Sequence, residues 1–318
     1  MVLKTILIII LSLIALYFVL TFIISIIMMN IMMYPTCHNI DEILSYEYNN
    51  KKITEDEFNN YFKFEDFIVK SKYGYNLKAS YISKKKDIKF KDNKERVVVL
   101  VHGWTSNRYA MLAYGKIYLN LGFHVFIYDH RNHFESDKKI TTMGDKEADD
   151  LQTIIEEIKK RFNGEIVIGT QGESMGSATV MIHGGRYGNL AFISEDCGYS
   201  SLKELLNYQC KELKHLPTFP TMQFANLYFK LKTKSSFSDV CPIKMIKKCK
   251  DIPMYFVQGS KDDFVPSYMV YLNFDAKEGF KMIDIYDNSR HACSIVDYPK
   301  EYATNLKKFL VNARIIDE

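Results

Sequence analysis

Six short apolar runs between residues 97 and 287 most constrain the fold of this chain. They read VVVLVH, FHVFIYD, EIVIGT, LAFISE, MYFVQG and MIDIYD. Most of them are too apolar to leave either face in water, and strands buried on both faces belong to parallel sheets. Helical patterns lie between them, clearest over residues 148–162 and 302–313. The alternation predicts an α/β protein with a central, mostly parallel sheet and helices on both faces.

Two further segments complete this outline. Residues 64–69 and 77–82 alternate apolar and polar side chains around a Gly-containing turn, which predicts a hairpin at the edge of the sheet. From about residue 199 to residue 251 there is no strand pattern, so this interval predicts a small helical cap inserted between two strands. The main domain is predicted at residues 63–318.

The amino terminus carries no charged residue from Thr5 to Cys37, and this is longer than the roughly 20 apolar residues that cross a bilayer. A cleavable signal peptide has a shorter apolar region that ends in small residues, whereas this run ends in Met-Met-Tyr-Pro. We therefore predict an uncleaved transmembrane signal anchor at residues 1–34. Residues 35–62 are polar and predict a stalk, in which a capping box at residues 54–57 opens a short helix.

Charge around the apolar run predicts its orientation. Lys4 and the α-amino group precede it, and positive charge tends to stay in the cytoplasm, so we expect the main domain on the outer side of the cell membrane. Lys51 and Lys52 lie within roughly 20 residues of its other end and favour the reverse. Cysteines without an evident pairing pattern also suit a reducing compartment.

Composition argues against several other classes of protein. The net charge is +4, and lysines are interspersed with glutamates, so the basic patch of a nucleic-acid-binding protein is missing. The six cysteines show neither C-x-x-C spacing nor histidines at zinc-ligand distances. We expect no metal, no other cofactor and no disulfide framework.

Chemistry enters with Gly172-Glu173-Ser174-Met175-Gly176, a G-x-S-x-G motif. It follows the EIVIGT run and precedes a helical pattern, which is the setting of a nucleophile elbow. The tight turn forces the serine toward strained dihedral angles, so its neighbours at 172 and 176 must be very small. The serine also lies at a helix amino terminus, where developing negative charge is favoured. The motif predicts Ser174 as a nucleophile.

A serine hydroxyl needs a base to remove its proton, and the base needs a third group to orient it. In this motif order the acid and then the histidine follow downstream. Asp262 follows the MYFVQG run and His291 follows MIDIYD, so both lie at the sheet edge that holds Ser174. Asp262 is the favoured acid, and Asp263 and Asp196 are alternatives.

An oxyanion hole requires two N–H donors beside the nucleophile. The residue after the serine, Met175, supplies one of them. The second comes from the loop after VVVLVH, where Gly103 lets the backbone turn and the N–H of Trp104 can face inward; Thr105 is the alternative donor. His102 is predicted to be structural, because His291 already occupies the position of the base.

The insertion is rich in aromatic side chains, which predicts an apolar pocket for a lipid-like acyl group. Its predicted lining residues are Phe134, Phe219, Phe224 and Tyr228, with Leu227, Phe229 and Trp104 nearby. The alternative is that these aromatic side chains only pack the cap onto the sheet.

These motifs together resemble a known family. The matching segments are HGW at 102–104, D-x-R-x-H-x-x-S at 129–136, GESMG at 172–176, GSKDDFVP at 259–266 and RHA at 290–292. They are similar to those of the α/β-hydrolase superfamily, and within it to bacterial membrane-anchored hydrolases of the serine-aminopeptidase-like, or monoacylglycerol-lipase-like, group. The resemblance implies that Ser174, Asp262 and His291 are nucleophile, acid and base. One departure is Phe134, which stands where the family's R-G-H-G loop has its last glycine.

The expected activity is cleavage of a small-molecule ester through an acyl-enzyme. Peptidase activity is less favoured, because the sequence shows no acidic clamp for a free amino terminus. Two alternatives stay open: an acyltransferase that passes the acyl group to an alcohol, and a non-catalytic, membrane-tethered interaction module.

Overall fold

The computed structural model describes residues 1–85, 88–162 and 166–317. Within this part of the chain one sheet forms, and its order is β1-β2-β4-β3-β5-β6-β7-β8. Glu165, the first residue of the predicted EIVIGT strand, lies outside the described residues, as does Glu318. The strands are β1 Phe64–Lys70, β2 Asn76–Ile82, β3 Glu95–Val101, β4 Phe123–Tyr128, β5 Ile166–Glu173, β6 Phe192–Asp196, β7 Met254–Gly259 and β8 Lys281–Tyr286.

The sheet has the predicted pairing. Strand β1 pairs antiparallel with β2, and β2 pairs antiparallel with β4, so the hairpin lies at one edge. The remaining pairs, from β4 through β3 to β8, are parallel. Strands β4 and β7 are buried at every position, which accounts for their predominantly apolar sequences. The predicted α/β architecture is confirmed.

Helices cover both faces of the sheet. They are α1 Val2–Met33, α2 Ile40–Asn49, α3 Leu112–Asn120, α4 Asp145–Arg161, α5 Met175–Tyr187, α6 Leu202–Tyr208, α7 Thr221–Thr233, α8 Pro242–Ile246, α9 Tyr268–Ala276, α10 Ser294–Asp297 and α11 Pro299–Asn312. Alternate residues of β3 serve the two faces: Val97 and Val99 pack with α4, whereas Val98 and Leu100 pack with α3 and α11. This period-two burial gives the domain two apolar layers.

The cap forms from α6, α7 and α8, and the structure places no strand in residues 199–251, all of which it describes. Its apolar side chains build a third cluster over the carboxyl ends of the strands. This cluster includes Met29, Met32 and Met33 of α1 together with Leu205, Met222 and Phe229 of the cap.

Helix α1 has 32 residues and the length and composition to cross a membrane. Its first 20 residues are exposed, but Thr21, Ser25, Met29, Met32 and Met33 are buried against the rest of the molecule. The second half of α1 is therefore part of the folded domain, which differs from a predicted anchor that ends before the domain begins.

The segment predicted as a stalk also differs in the structure. Ile53 and Phe62 are 1% and 2% exposed and belong to the apolar layer beside α3 and α11. Lys52 Nζ lies 3.0 Å from Glu47 Oε1 in a buried ion pair. A few apolar residues hold this segment against the domain, although its average composition is polar. The predicted capping box at residues 54–57 is confirmed, with Glu57 N donating to Thr54 Oγ1 at 3.1 Å.

Candidate active site

The turn between β5 and α5 holds Ser174 at φ 55° and ψ −114°, a strained conformation for a residue with a side chain. A Cβ on Gly172 would lie 2.4 Å from the backbone of Gly176, and a Cβ on Gly176 would lie 1.9 Å from the carbonyl oxygen of Val101. Both glycines are needed because the turn, the helix and β3 approach one another so closely.

The structure brings Ser174, His291 and Asp262 into one hydrogen-bonded chain. The Nε2 atom of His291 lies 2.9 Å from Ser174 Oγ. The Nδ1 atom of the same ring lies 2.7 Å from Asp262 Oδ2. Ser174 is 8% exposed and the carboxylate of Asp262 is fully buried, so the chain runs from the protein interior to the floor of a cleft.

The Asp262 carboxylate is held from several sides. Its Oδ1 accepts hydrogen bonds from the backbone N–H groups of Phe264, at 3.0 Å, and Val265, at 2.8 Å. Its Oδ2 also accepts from Gln258 Nε2 at 2.7 Å. Asp263 is exposed. Gln258 is not among the predicted site residues, although an amide inside an otherwise apolar strand is a signal for such a role.

The other alternative acid, Asp196, faces a different set of partners. The Tyr114 hydroxyl oxygen lies 3.0 Å from Asp196 Oδ2 and 3.0 Å from Glu173 Oε2, so it shares its hydrogen bonding between the two acids. Burial, with the nearby charge of Glu173, raises the pKa of Asp196 to about 7. These two carboxylates form a buried acidic pair behind the serine and not a partner for Nδ1 of His291.

The surroundings of His291 bias it toward its protonated form. Burial lowers the pKa of its imidazole, but the hydrogen bond and charge of Asp262 outweigh that effect, and Glu173 and Asp196 add to it. The net result is a pKa raised above the ordinary value of a histidine. A positive charge on this ring is thus stabilised by the protein.

The predicted N–H donors belong to Met175, which directly follows Ser174, and to Trp104, which borders a cavity together with Ser174. Met175 is the first residue of α5, so its N–H has no partner within the helix. Gly103 is so near the serine that a Cβ there would lie 3.4 Å from Ser174 Cβ. The left-handed turn of this loop falls at Thr105, with φ 66°, directly after Trp104.

A group of buried histidines supports this loop from below. His102 Nε2 accepts a hydrogen bond from His130 N at 3.0 Å, and the ring of His133 lies 5.1 Å from that of His102. Burial lowers the pKa of His102 well below its ordinary value, and the neighbouring histidines add to the shift. A neutral, packed His102 agrees with the structural role predicted for it.

Three possible metal-ligand side chains also meet here, since donor atoms of Cys197, Asp262 and His291 lie within 4.8 Å of one another. Both ring nitrogens of His291 are already engaged by Ser174 and Asp262. Burial raises the pKa of the Cys197 thiol well above its ordinary value, so this side chain is a poor thiolate ligand. The arrangement suits proton transfer better than metal binding.

Two cavities meet at Ser174. The smaller, of about 240 Å³, is bordered by Gly103, Trp104, Thr105, Ser106, Glu173, Ser174, Phe264, His291 and Ala292. The larger, of about 270 Å³, is almost entirely apolar; its lining residues are Met28, Met29, Ile31, Met32, Trp104, Met143, Ser174, Tyr199, Leu205, Leu206, Gln209, Lys214 and Phe264. Four of these come from α1, so the apolar helix at the amino terminus forms one wall of the site.

Four predicted pocket residues do not line either cavity among the described residues. One of them, Phe134, packs away from the serine, with its ring 6.3 Å from that of Tyr109 and 5.6 Å from the Arg108 guanidinium. A phenylalanine in place of the family's glycine thus fills space beside the loop and does not narrow the pocket.

The other three incorrectly predicted residues belong to the cap. Phe219 is 62% exposed, and the ring of Phe224 lies 5.4 Å from that of Phe22. Tyr228 donates its hydroxyl to Asn30 Oδ1 at 3.0 Å. Phe224 and Tyr228 meet α1, which the sequence reasoning had placed apart from the domain. Trp104 does line both cavities, as predicted.

Comparison with known proteins agrees with this geometry. Residues 96–190 match the model of a family described as having the α/β-hydrolase fold. The chain is 30% identical over 248 residues to the uncharacterized protein YqkD of Bacillus subtilis. This alignment covers 77% of this chain and 79% of YqkD. The chain belongs to the α/β-hydrolase superfamily.

Solved structures show the same fold. An esterase of Pyrococcus furiosus, PF2001, matches with a TM-score of 0.64 at 21% identity, over 80% of this chain and 93% of that one. XC6422 of Xanthomonas campestris, described as an α/β serine hydrolase without a lid, matches with a TM-score of 0.56 at 14% identity, over 80% of this chain and 96% of that one.

The strain at Ser174 gives a testable result. Because glycine adopts positive φ at little cost, Ser174→Gly should have a free energy of unfolding about 1 kcal/mol higher than Ser174→Ala. Denaturant titration of both variants in mild detergent measures the difference. Ser177, inside α5, is the matched control, where the order should reverse because glycine destabilises helix interiors by about 1 kcal/mol. Greater stability of Ser174→Ala would show that the turn is not strained.

Proposed function

We propose that this protein is a membrane-anchored serine hydrolase that cleaves esters through an acyl-enzyme. The observation that carries the proposal is the continuous hydrogen-bonded chain from Asp262 through His291 to Ser174 at the elbow. The segments HGW, D-x-R-x-H-x-x-S, GESMG, GSKDDFVP and RHA support placing it in the serine-aminopeptidase-like, or monoacylglycerol-lipase-like, group. The esterase PF2001 has the same fold, which agrees with ester chemistry.

In the proposed mechanism, neutral His291 takes the proton of Ser174 through Nε2 as the serine oxygen attacks the ester carbonyl. Asp262 orients the ring and stabilises the imidazolium that forms. The N–H groups of Met175 and Trp104 hold the oxyanion of the tetrahedral intermediate. His291 then protonates the leaving alcohol, and water repeats the sequence to release the acid and restore the serine.

The two cavities suggest how the substrate lies. The larger one is apolar and suits an acyl chain. The smaller one is bordered by the polar residues Ser106, Glu173 and His291, and it suits the more polar alcohol. We therefore favour esters with an apolar acyl group.

We further propose that residues 1–34 remain attached as a single-pass anchor, with the domain on the outer side of the membrane. Removal of α1 would expose the apolar cavity, since Met29 and Met32 are 1% and 6% exposed and lie in its wall. That requirement favours an anchor over a cleaved signal. The outward orientation follows from Lys4 before the helix.

Loss of the nucleophile tests the reaction itself. Ser174→Ala should abolish both labelling by a fluorophosphonate probe and hydrolysis of p-nitrophenyl esters, with the circular dichroism spectrum unchanged. His291→Ala should cost nearly as much as the double variant, because the members of a triad act as a unit. Product analysis with added glycerol distinguishes hydrolysis from acyl transfer. Persistent labelling of Ser174→Ala would refute the assignment.

The acid assignment predicts two separate changes in the pH profile. In the wild type, activity should fall as acid protonates His291, with the midpoint above the ordinary histidine pKa of about 6.5. Asp262→Asn removes the charge that raises this pKa, so its acidic limb should move to lower pH while the maximal rate falls about 10³-fold or more.

Asp263→Asn is the control for this experiment and should change neither the limb nor the maximum, because Asp263 is exposed. Both Asp196 and Asp262 are buried, and Asp196→Asn should lower the rate less than Asp262→Asn does. If kcat/KM profiles showed Asp196→Asn to be the more damaging, the acid would be misassigned.

The wall supplied by α1 predicts a change in acyl-chain preference. Met28→Trp narrows the larger cavity, so kcat/KM should fall about tenfold or more for decanoyl esters and stay within about twofold for acetyl esters. Ile27→Trp is the matched control, because Ile27 is 52% exposed and lines neither of the two cavities at Ser174. An equal fall in kcat/KM for the decanoyl and acetyl esters would place the acyl chain outside this cavity.

A further inference from the structure

We propose that the tip of the cap, with the exposed side of α7, is immersed in the membrane leaflet through which α1 emerges. An acyl ester that resides in the bilayer then enters the apolar cavity directly from that leaflet. This inference rests on the proposed hydrolase function and anchoring, and it adds the surface that meets the lipid and the presentation of the substrate.

The first support is where α1 begins to contact the cap. Tyr17 donates its hydroxyl to the carbonyl oxygen of Phe219 at 2.5 Å. The rings of Phe18 and Phe22 lie 6.4 and 5.4 Å from that of Phe224. Ser25 Oγ donates to the carbonyl oxygen of Thr221 at 2.8 Å. The contact between the cap and α1 thus begins about halfway along the apolar run of α1 and continues toward its carboxyl end.

The length of α1 that precedes this contact indicates how far the cap extends into the bilayer. Residues 2–16 precede the first of these contacts and span about 22 Å at 1.5 Å per residue, which is too short for a hydrocarbon core of about 30 Å. A crossing of about 20 residues that starts after Lys4 reaches Ile24. Residues 17–24 then lie both within the bilayer and beside the cap. Eight residues correspond to about 12 Å, so the tip of the cap extends to that depth.

The surface of the cap fits this position. Phe219 and Leu227 are 62% and 54% exposed, and Phe219 lies at the level of Tyr17. Exposed Lys230 and Lys232 occupy the far end of α7, beyond the contact of Tyr228 with Asn30. Lysines thus occur only at the end of α7 away from Phe219, where exposed Leu231 lies between them, and this order matches hydrocarbon followed by the interface with the headgroups.

The larger, apolar cavity lies next to the membrane-immersed part of α1, in the direction of its carboxyl end. Met28 and Ile31 of α1 line it, four and seven residues beyond Ile24, which is about 6 to 10 Å along the helix. Ile31 is 59% exposed, and the exposed Lys214 lies at the same cavity. A chain that leaves the leaflet along α1 meets the mostly apolar lining of the larger cavity until its ester group reaches Ser174, where the polar alcohol part enters the smaller cavity. The substrate class is a bilayer-resident acyl ester.

Depth-dependent quenching tests the immersion. Full-length Phe219→Trp and Ile68→Trp are placed in vesicles of brominated phosphatidylcholine, and the single native tryptophan gives the baseline. Ile68 is equally exposed, at 65%, but lies on β1, five strands from the cap-bearing β6. The added emission of Phe219→Trp should be mostly lost and that of Ile68→Trp retained. Equal quenching of the two variants overturns the proposal, and concentration-dependent dimers in detergent would then assign the surface to a second copy.

Kinetics test the route of the substrate. Phe219→Glu should lower turnover of a long-chain monoacyl ester in vesicles about tenfold or more, yet leave hydrolysis of a soluble acetyl ester unchanged; Ile68→Glu should alter neither. Equal rates for Phe219→Glu and wild type on vesicles overturn entry from the leaflet. An absence of fluorophosphonate labelling in the wild type would instead overturn the hydrolase function, and the quenching result would stand independently of it.

Discussion

The site depends on a backbone contact in which the start of α5 presses against the end of β3, where a Cβ on Gly176 would lie 1.9 Å from the Val101 carbonyl oxygen. This contact fixes the helix amino terminus directly over the strand ends. Ser174 N is tied in turn to the carbonyl oxygen of Asp196 at 2.8 Å. Because β7 and β8 run parallel to the same edge, their loops carry Asp262 and His291 to the serine. The chemistry is thus assembled by sheet order and one tight turn.

Sequence reasoning recovers the parts of the molecule that local patterns encode. Doubly buried strands, the glycines of the elbow and the chain order of Ser174, Asp262 and His291 each leave a signature within a few residues. The choice between Asp262 and Asp263 is subtler, because it depends on the backbone N–H groups of Phe264 and Val265. These N–H groups meet the Asp262 carboxylate only once the loop has folded. The position of the loop in the sequence can therefore favour Asp262 but cannot show why Asp262 and not Asp263 is held in place.

The rest depends on contacts between distant segments. A hydropathy run does not distinguish a helix surface that meets lipid from one that meets protein, and so α1 was predicted only as an anchor. A signal was present: Thr21, Ser25 and Met29 recur every four residues, which places them on one side of the helix, and that side is the buried one. Similarly, the polar residues around Ile53 and Phe62 in the sequence mask the signal that these two side chains belong to the core. Prediction of the pocket failed because its wall comes from that helix and not from the cap aromatics.

If α1 spans the membrane and the larger cavity holds the acyl chain, as proposed, the shared use of α1 ties the shape of that cavity to the bilayer. A transmembrane helix adapts to a thicker or thinner hydrocarbon layer by tilting. In this protein such a tilt cannot be confined to the anchor, since Ser25 and Met32 are bonded to the cap and to Trp104. Hydrophobic mismatch would be transmitted to the wall around Ser174, so lipid thickness itself becomes a determinant of chain-length selectivity. The anchor could not then be exchanged for an unrelated apolar helix of equal length without altering the enzyme.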